Sequence, residues 1–138
     1  FLSDFINKDS GRILNVSSSA GLTIGGPLFT SYYATKAYVS SLTRGIYGEL
    51  KSIKSKVTIS HLCPGPVDTG FNKRAGISKF SSKPLDSRYV AEYGIKKMLK
   101  GKLTIIPGAK MKIAMFFSKF VGEKLMLRIL MSFQKGKE

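Results

Sequence analysis

The chain is poor in the residues that most often carry covalent or metal chemistry. Its one cysteine, Cys63, cannot close an intramolecular disulfide, which fits a reducing compartment; a cytoplasmic setting is expected. Its one histidine, His61, lacks the partners that a nucleophilic triad would need. His61 therefore reads as a structural residue of a strand, and Cys63 as a small buried hydrophobe. No cluster of His, Cys, Asp and Glu occurs, so no metal site is expected. No run of about 18 apolar residues offers a membrane span.

Acidic residues are also scarce. Eight Asp and Glu stand against 23 Lys and Arg, a net charge of +15. Residues 1–70 hold four acidic and seven basic side chains, whereas residues 71–138 hold four and sixteen. The basic character thus belongs to the second half. It reads first as a lysine-rich solvated surface, with a membrane surface as the anionic partner it would suit and no nucleic-acid partner expected.

What is present is the composition of one globular domain, with 43% hydrophobic and 22% charged residues in 138. The chain opens on Phe1, in what reads as the tail of a helix ending near Asn7, and is expected to be a piece of a longer protein. After the turn Lys8–Gly11, the apolar run Arg12–Val16 predicts a strand buried on both faces. A serine-rich loop, Ser17–Ser31, follows at its carboxyl end, where ligand sites of open parallel sheets lie. Val39, Leu42, Ile46, Leu50 and Ile53 then recur at helical spacing and predict an amphipathic helix from Tyr32. Gly45 and Gly48 on this helix would let a neighbouring helix approach closely, and Tyr38 and Tyr47 read as core or interface aromatics.

Val57–Cys63 predicts a second strand, and Pro64–Gly70 is a stiff loop at its end. Residues 71–84 are polar and serine-rich. Asp86 is placed to cap a helix running to about Lys100, with Tyr89, Val90, Tyr93, Ile95, Met98 and Leu99 mainly inward. Leu103–Ile106 predicts a third strand. Residues 110–135 predict one last helical segment, apolar and decorated with lysines, bent near Gly122. That segment suits a membrane interface, a cover over an apolar substrate entrance, or a plain closure of the domain.

The stretch with the most chemistry is Ser31-Tyr32-Tyr33-Ala34-Thr35-Lys36. A phenol has an ordinary pKa of about 10, and a neighbouring ammonium favours its ionised form. Tyr32 lies four residues before Lys36 and Tyr33 three, so helical geometry admits either as the partner. A serine of the preceding loop could bond the same substrate oxygen, which outlines a proton-transfer site.

The run Gly11–Gly21 with its three serines, then Tyr32-x-x-x-Lys36, then Pro64-Gly65-Pro66-Val67-Asp68-Thr69 resembles the short-chain dehydrogenase/reductase family, all three motifs standing in the right order and spacing. The resemblance covers residues 1 to about 108 well and implies an NAD(P)-dependent oxidoreductase with a Rossmann-type, doubly wound parallel α/β sheet. Of that sheet only the second half is expected here: three strands with crossover helices and a C-terminal helix, one partial domain over residues 1–138. The resemblance implies Ser18, Tyr32 and Lys36 as the catalytic residues. It implies NAD or NADP as cofactor, held by Tyr32, Lys36, Pro64, Gly65, Val67 and Thr69. It implies a small carbonyl or alcohol substrate, a mobile flap over residues 71–84, and a homo-oligomer joined through the helix after Tyr32. The methionines and phenylalanines of residues 109–138 suggest an apolar or lipid-like substrate. The Gly-rich phosphate-binding turn and the family's asparagine on the preceding helix are missing from these residues, so the chain alone is expected to bind cofactor poorly. The alternatives are a binding protein that kept the fold without catalysis and a membrane-surface module built on the basic C-terminal helix.

Overall fold

The computed structural model describes residues 1–74 and 83–135, without the side chains of residues 72 and 73. Three strands, β1 (Arg12–Val16), β2 (Thr58–Leu62) and β3 (Thr104–Ile105), form a parallel sheet in the order β1-β2-β3. Arg12 pairs with Thr58 and Val16 with Leu62; His61 pairs with Thr104. Parallel neighbours need crossovers, and helices supply them. Helix α1 (Leu2–Asn7) leads into β1, α2 (Thr30–Ser52) joins β1 to β2, and α3 (Phe71–Arg74) with α4 (Ser87–Leu99) lies between β2 and β3. Helices α5 (Ala109–Phe117) and α6 (Glu123–Lys135) follow.

The sheet is covered on both faces. On one, Val57 and Ile59 pack with Leu50 of α2, flanked by Leu2, Phe5 and Ile6 of α1 and by Ile13, Ile46 and Tyr47. On the other, Leu62 and Ile105 pack with Val90 of α4, joined by Leu14, Tyr93 and Met98. Each fully buried aliphatic side chain contributes about 1.5–3 kcal/mol. The period-2 alternation of the strands sends Ile13 and Ile59 one way and Leu14 and Leu62 the other.

Several expectations need correction. The inward face of α2 is built from Ser40, Thr43 and Leu50, while Leu42 and Ile53 are exposed. The periodicity of its aliphatics pointed to a stripe that the helix in fact presents partly to solvent, because polar partners on the sheet take the inner positions. Tyr38 is exposed, so of its two expected roles the core one falls away, while Gly45 and Gly48 have open space beside them, which leaves room for the expected neighbouring helix. On α4, Asp86 caps Tyr89 N through its carboxylate at 2.8 Å as predicted, but Tyr89, Ile95 and Leu99 are exposed and Gly94 is buried against Leu62. The C-terminal segment is not one bent helix. A 3-10 turn, Ser118–Phe120, and the extended Val121 separate α5 from α6. Most of the expected flap, residues 75–82, lies outside the described residues.

Candidate active site

The site forms where β1 and β2 end. Ser17-Ser18-Ser19 leaves β1 directly into a 3-10 turn, Ser19–Leu22, whose first N–H groups need a cap. Ser18 provides it: its Oγ accepts from Ala20 N at 3.2 Å and donates to the Pro64 carbonyl in a long 3.5 Å contact. The loop after β2 is tied to the same turn by Ser19 N donating to Pro64 O at 2.8 Å. Its far end is fixed by Leu85 N to Pro66 O and Asp68 N to Leu85 O, both 2.9 Å. Two loops from neighbouring strand ends are thus locked together.

Helix α2 closes the third side. The turn 19–22 lies so near it that a Cβ on the buried Gly21 would press on the Lys36 carbonyl and on Ser17 Oγ, so only glycine fits. Ser17 Oγ donates to Lys36 O at 2.8 Å and lies 2.9 Å from Ser40 Oγ. Ser40 Oγ is 3.2 Å from His61 Nδ1, and His61 Nε2 is 2.9 Å from Thr104 Oγ1. Beside this chain, Asn15 Nδ2 donates to Thr43 Oγ1 at 2.9 Å. Polar side chains one and two turns after Lys36 therefore pin the helix to all three strands.

The groups in this tie are held neutral. Burial first, and the Arg44 guanidinium second, keep the His61 imidazole down at about 4. Burial pushes the Cys63 thiol, 3.2 Å from His61 Nδ1, up to about 11. Both are structural side chains, as their rarity in the sequence suggested.

The elements enclose a cavity of about 300 Å³. Every residue singled out in the sequence lines it: Ser18, Tyr32 and Lys36, and Pro64, Gly65, Val67 and Thr69 of the second loop. The two candidate tyrosines are separated by their surroundings. Tyr33 packs its ring against Gly26, and its hydroxyl accepts from Gln134 Nε2 of α6 at 2.8 Å. Burial raises its pKa above 10, which keeps it protonated. Tyr32 stands with Lys36 Nζ 5.8 Å from its ring centroid and with Phe71 at 5.6 Å. Lys36 Nζ donates to Val16 O at 3.2 Å, which holds the ammonium at the cavity wall.

Sequence reasoning missed part of the lining. Phe29, Phe71 and Gln134 also face the cavity, and Gln134 arrives from a helix 101 residues beyond Tyr33 with no local signal. Ser40 and Thr43 could have been found, since with Lys36 they form an i, i+4, i+7 stripe of polar residues. Among the described residues no group of three or more His, Cys, Asp and Glu could hold a metal ion. No described helix is long and apolar enough to cross a membrane.

Comparison with known proteins bears on the family and the fold. The family model described as short chain dehydrogenase matches residues 1–79. An uncharacterized oxidoreductase of Staphylococcus saprophyticus is 35% identical over 95 residues, covering 68% of this chain and 38% of that protein. The very-long-chain 3-oxoacyl-CoA reductase of Anas platyrhynchos is 38% identical over 90 residues, covering 64% and 27%. Among solved structures, a short chain dehydrogenase from Burkholderia cenocepacia in complex with NADP superposes with a TM-score of 0.71 at 21% identity, over 94% of this chain and 51% of that one. A 7beta-hydroxysteroid dehydrogenase gives 0.75 at 22%, over 94% and 49%. The chain spans between a quarter and two fifths of the length of its curated relatives and about half of these solved chains. With its parallel sheet, its two loops at the strand ends and the matched residues, the chain belongs to the short-chain dehydrogenase family.

Proposed function

We propose that this chain is the catalytic half of an NAD(P)-dependent oxidoreductase that moves a hydride between the nicotinamide and a carbonyl or alcohol carbon. The observation that carries the reading is the single cavity in which Ser18, Tyr32 and Lys36 meet the 64–69 loop. Its donors and surfaces suit the nicotinamide end of such a cofactor. Lys36 and Thr69 would offer an ammonium and a hydroxyl to ribose and carboxamide oxygens, and Val16, Pro64 and Val67 would supply apolar wall. When bound, the cofactor supplies or takes the hydride. NAD or NADP would serve; solved relatives are described in complex with NADP, NADPH and NAD.

The protein's own part is proton transfer and charge stabilisation. In reduction, the Tyr32 hydroxyl gives its proton to the substrate oxygen as negative charge develops there; in oxidation it takes the proton back. Lys36 offers positive charge to the phenolate that remains. Ser18 donates to the same substrate oxygen, exchanging its long contact with Pro64 for a shorter bond to a charged acceptor. Phe29, Tyr33 and Phe71 add aromatic surface to the lining beside Ala20 and Pro66, which favours a bulky apolar carbonyl compound over a small polar one. The full-length protein, incubated with NADH or NADPH and ketones of increasing apolar size, should oxidise the cofactor fastest with the larger members. Removal of the hydroxyl in Ser18→Ala should lower turnover by about a hundredfold or more. Failure to oxidise either cofactor with every ketone would contradict the proposal.

A further inference from the structure

Helix α5 has a sequence that belongs in an apolar environment and a position that denies it one. Five of its nine residues are Met, Ile or Phe, yet none of the nine is buried. A helix with apolar side chains on both its inner and its outer side ordinarily lies within a core or at a bilayer. The inner side is accounted for: Met111 and Met115 are half-buried, and Met111 lies against Gly65 of the active-site loop. The outer side is a separate stripe. Ile113, Phe116 and Phe117, with Phe120 of the following 3-10 turn, fall at i, i+3, i+4 and i+7 and are 57%, 56%, 61% and 74% exposed. The rings of Phe117 and Phe120 each pack edge-on against Phe116 at 5.4 Å, so the stripe is one continuous aromatic ridge.

Charge defines what covers the ridge. Lys110, Lys112 and Lys119 are exposed beside it, Lys124 and Arg128 follow on α6, and Glu123 is the one acidic residue between 109 and 135. We propose that the ridge seats in the interface of an anionic lipid bilayer, the phenylalanines among the upper acyl chains and the lysines at the headgroups. The nine residues of α5 are too few to span a bilayer, so the helix lies in the membrane plane. A second copy of the chain fits worse, because it would set these lysines against their own like charges. A nucleic acid would satisfy the lysines but leave the aromatic ridge in water. The docking stands independently of the oxidoreductase reading. Where both hold, the helix at the bilayer is the one that bears on Gly65, so an apolar substrate could reach the cavity from the lipid phase.

The test is flotation of the full-length protein with phosphatidylcholine vesicles, with and without phosphatidylserine, a readout independent of turnover. The protein should float with the phosphatidylserine vesicles and be released by high salt. Each lysine removed from the set Lys110, Lys112 and Lys119 should weaken binding about fivefold. The triple variant Phe116→Ser, Phe117→Ser, Phe120→Ser should lose at least tenfold, roughly, with an unchanged circular dichroism spectrum because the side chains are exposed. Either of two results would overturn the proposal: wild-type protein that ignores anionic vesicles, or a triple variant that binds them as well as wild type. If neither protein binds vesicles and the triple variant shrinks an oligomer on gel filtration, the first result also assigns the ridge to a second copy.

Discussion

His61 is the residue on which the polar layer between sheet and helix turns. It is fully buried and neutral, with a folded pKa of about 4 against an ordinary 6.5. Below pH 6.5 the unfolded chain therefore binds a proton that the folded chain refuses, so stability falls as the solution is acidified. The loss should run from about pH 6.5 down to about 4 and amount to on the order of 3 kcal/mol, read as a falling urea midpoint. In His61→Gln that part of the acid dependence should vanish. Cys63 offers a second check. Completely buried and pushed up to about 11, its thiol should resist alkylation at pH 8 until the protein is unfolded, while a surface cysteine would react within minutes. At this scale the sequence was informative through scarcity: one His and one Cys with no partners implied structural roles. Their hydrogen bonds to Ser40, Thr104 and each other depend on three strands meeting, and no local pattern encodes that.

Among the elements, the turns that end the helices show how closely the chain is specified. After α4, Gly101 takes a positive φ of 65°, and the bonds Gly101 N to Met98 O and Lys102 N to Lys97 O close the helix. After α2 the same motif recurs, with Lys54 N to Lys51 O and Ser55 N to Leu50 O, but a lysine holds the left-handed position at φ 55°. That conformation costs a residue bearing a Cβ about 1 kcal/mol, so Lys54→Gly should raise stability by up to about that amount in equilibrium unfolding. Gly21→Ala should act oppositely. Its methyl would push the Lys36 carbonyl away from the serine turn, costing about 1–3 kcal/mol and lowering turnover along with stability. The strands were legible because Arg12–Val16 is a short apolar run and Val57–Cys63 alternates β-branched with other residues, each bounded by turn signals. The rotation of α2 was not. Its inner face carries Ser40 and Thr43, whose partners Ser17, His61 and Asn15 lie on other elements, and aliphatic periodicity cannot report a polar interface.

The molecule as a whole is a sheet with an open side. Among the described residues β1 pairs with β2 alone, so its other edge presents free backbone groups to a further strand. This agrees with a chain that spans about half of the solved proteins it resembles. Three motifs in order sufficed to read the family and the second loop from sequence. A cover over the substrate entrance was one of three readings of the C-terminal segment, but the contact was hidden, since Gln134 reaches Tyr33 only through the packing of α6. We assign the proton transfer to the Tyr32 hydroxyl and not to that of its neighbour. The most direct measurement compares nicotinamide-dependent carbonyl turnover by full-length wild type, Tyr32→Phe and Tyr33→Phe. Loss of the general acid should reduce Tyr32→Phe by about a hundredfold to ten-thousandfold, while Tyr33→Phe, which sacrifices one bond to Gln134, keeps most of the activity. Turnover that survives in Tyr32→Phe and disappears in Tyr33→Phe would contradict the account.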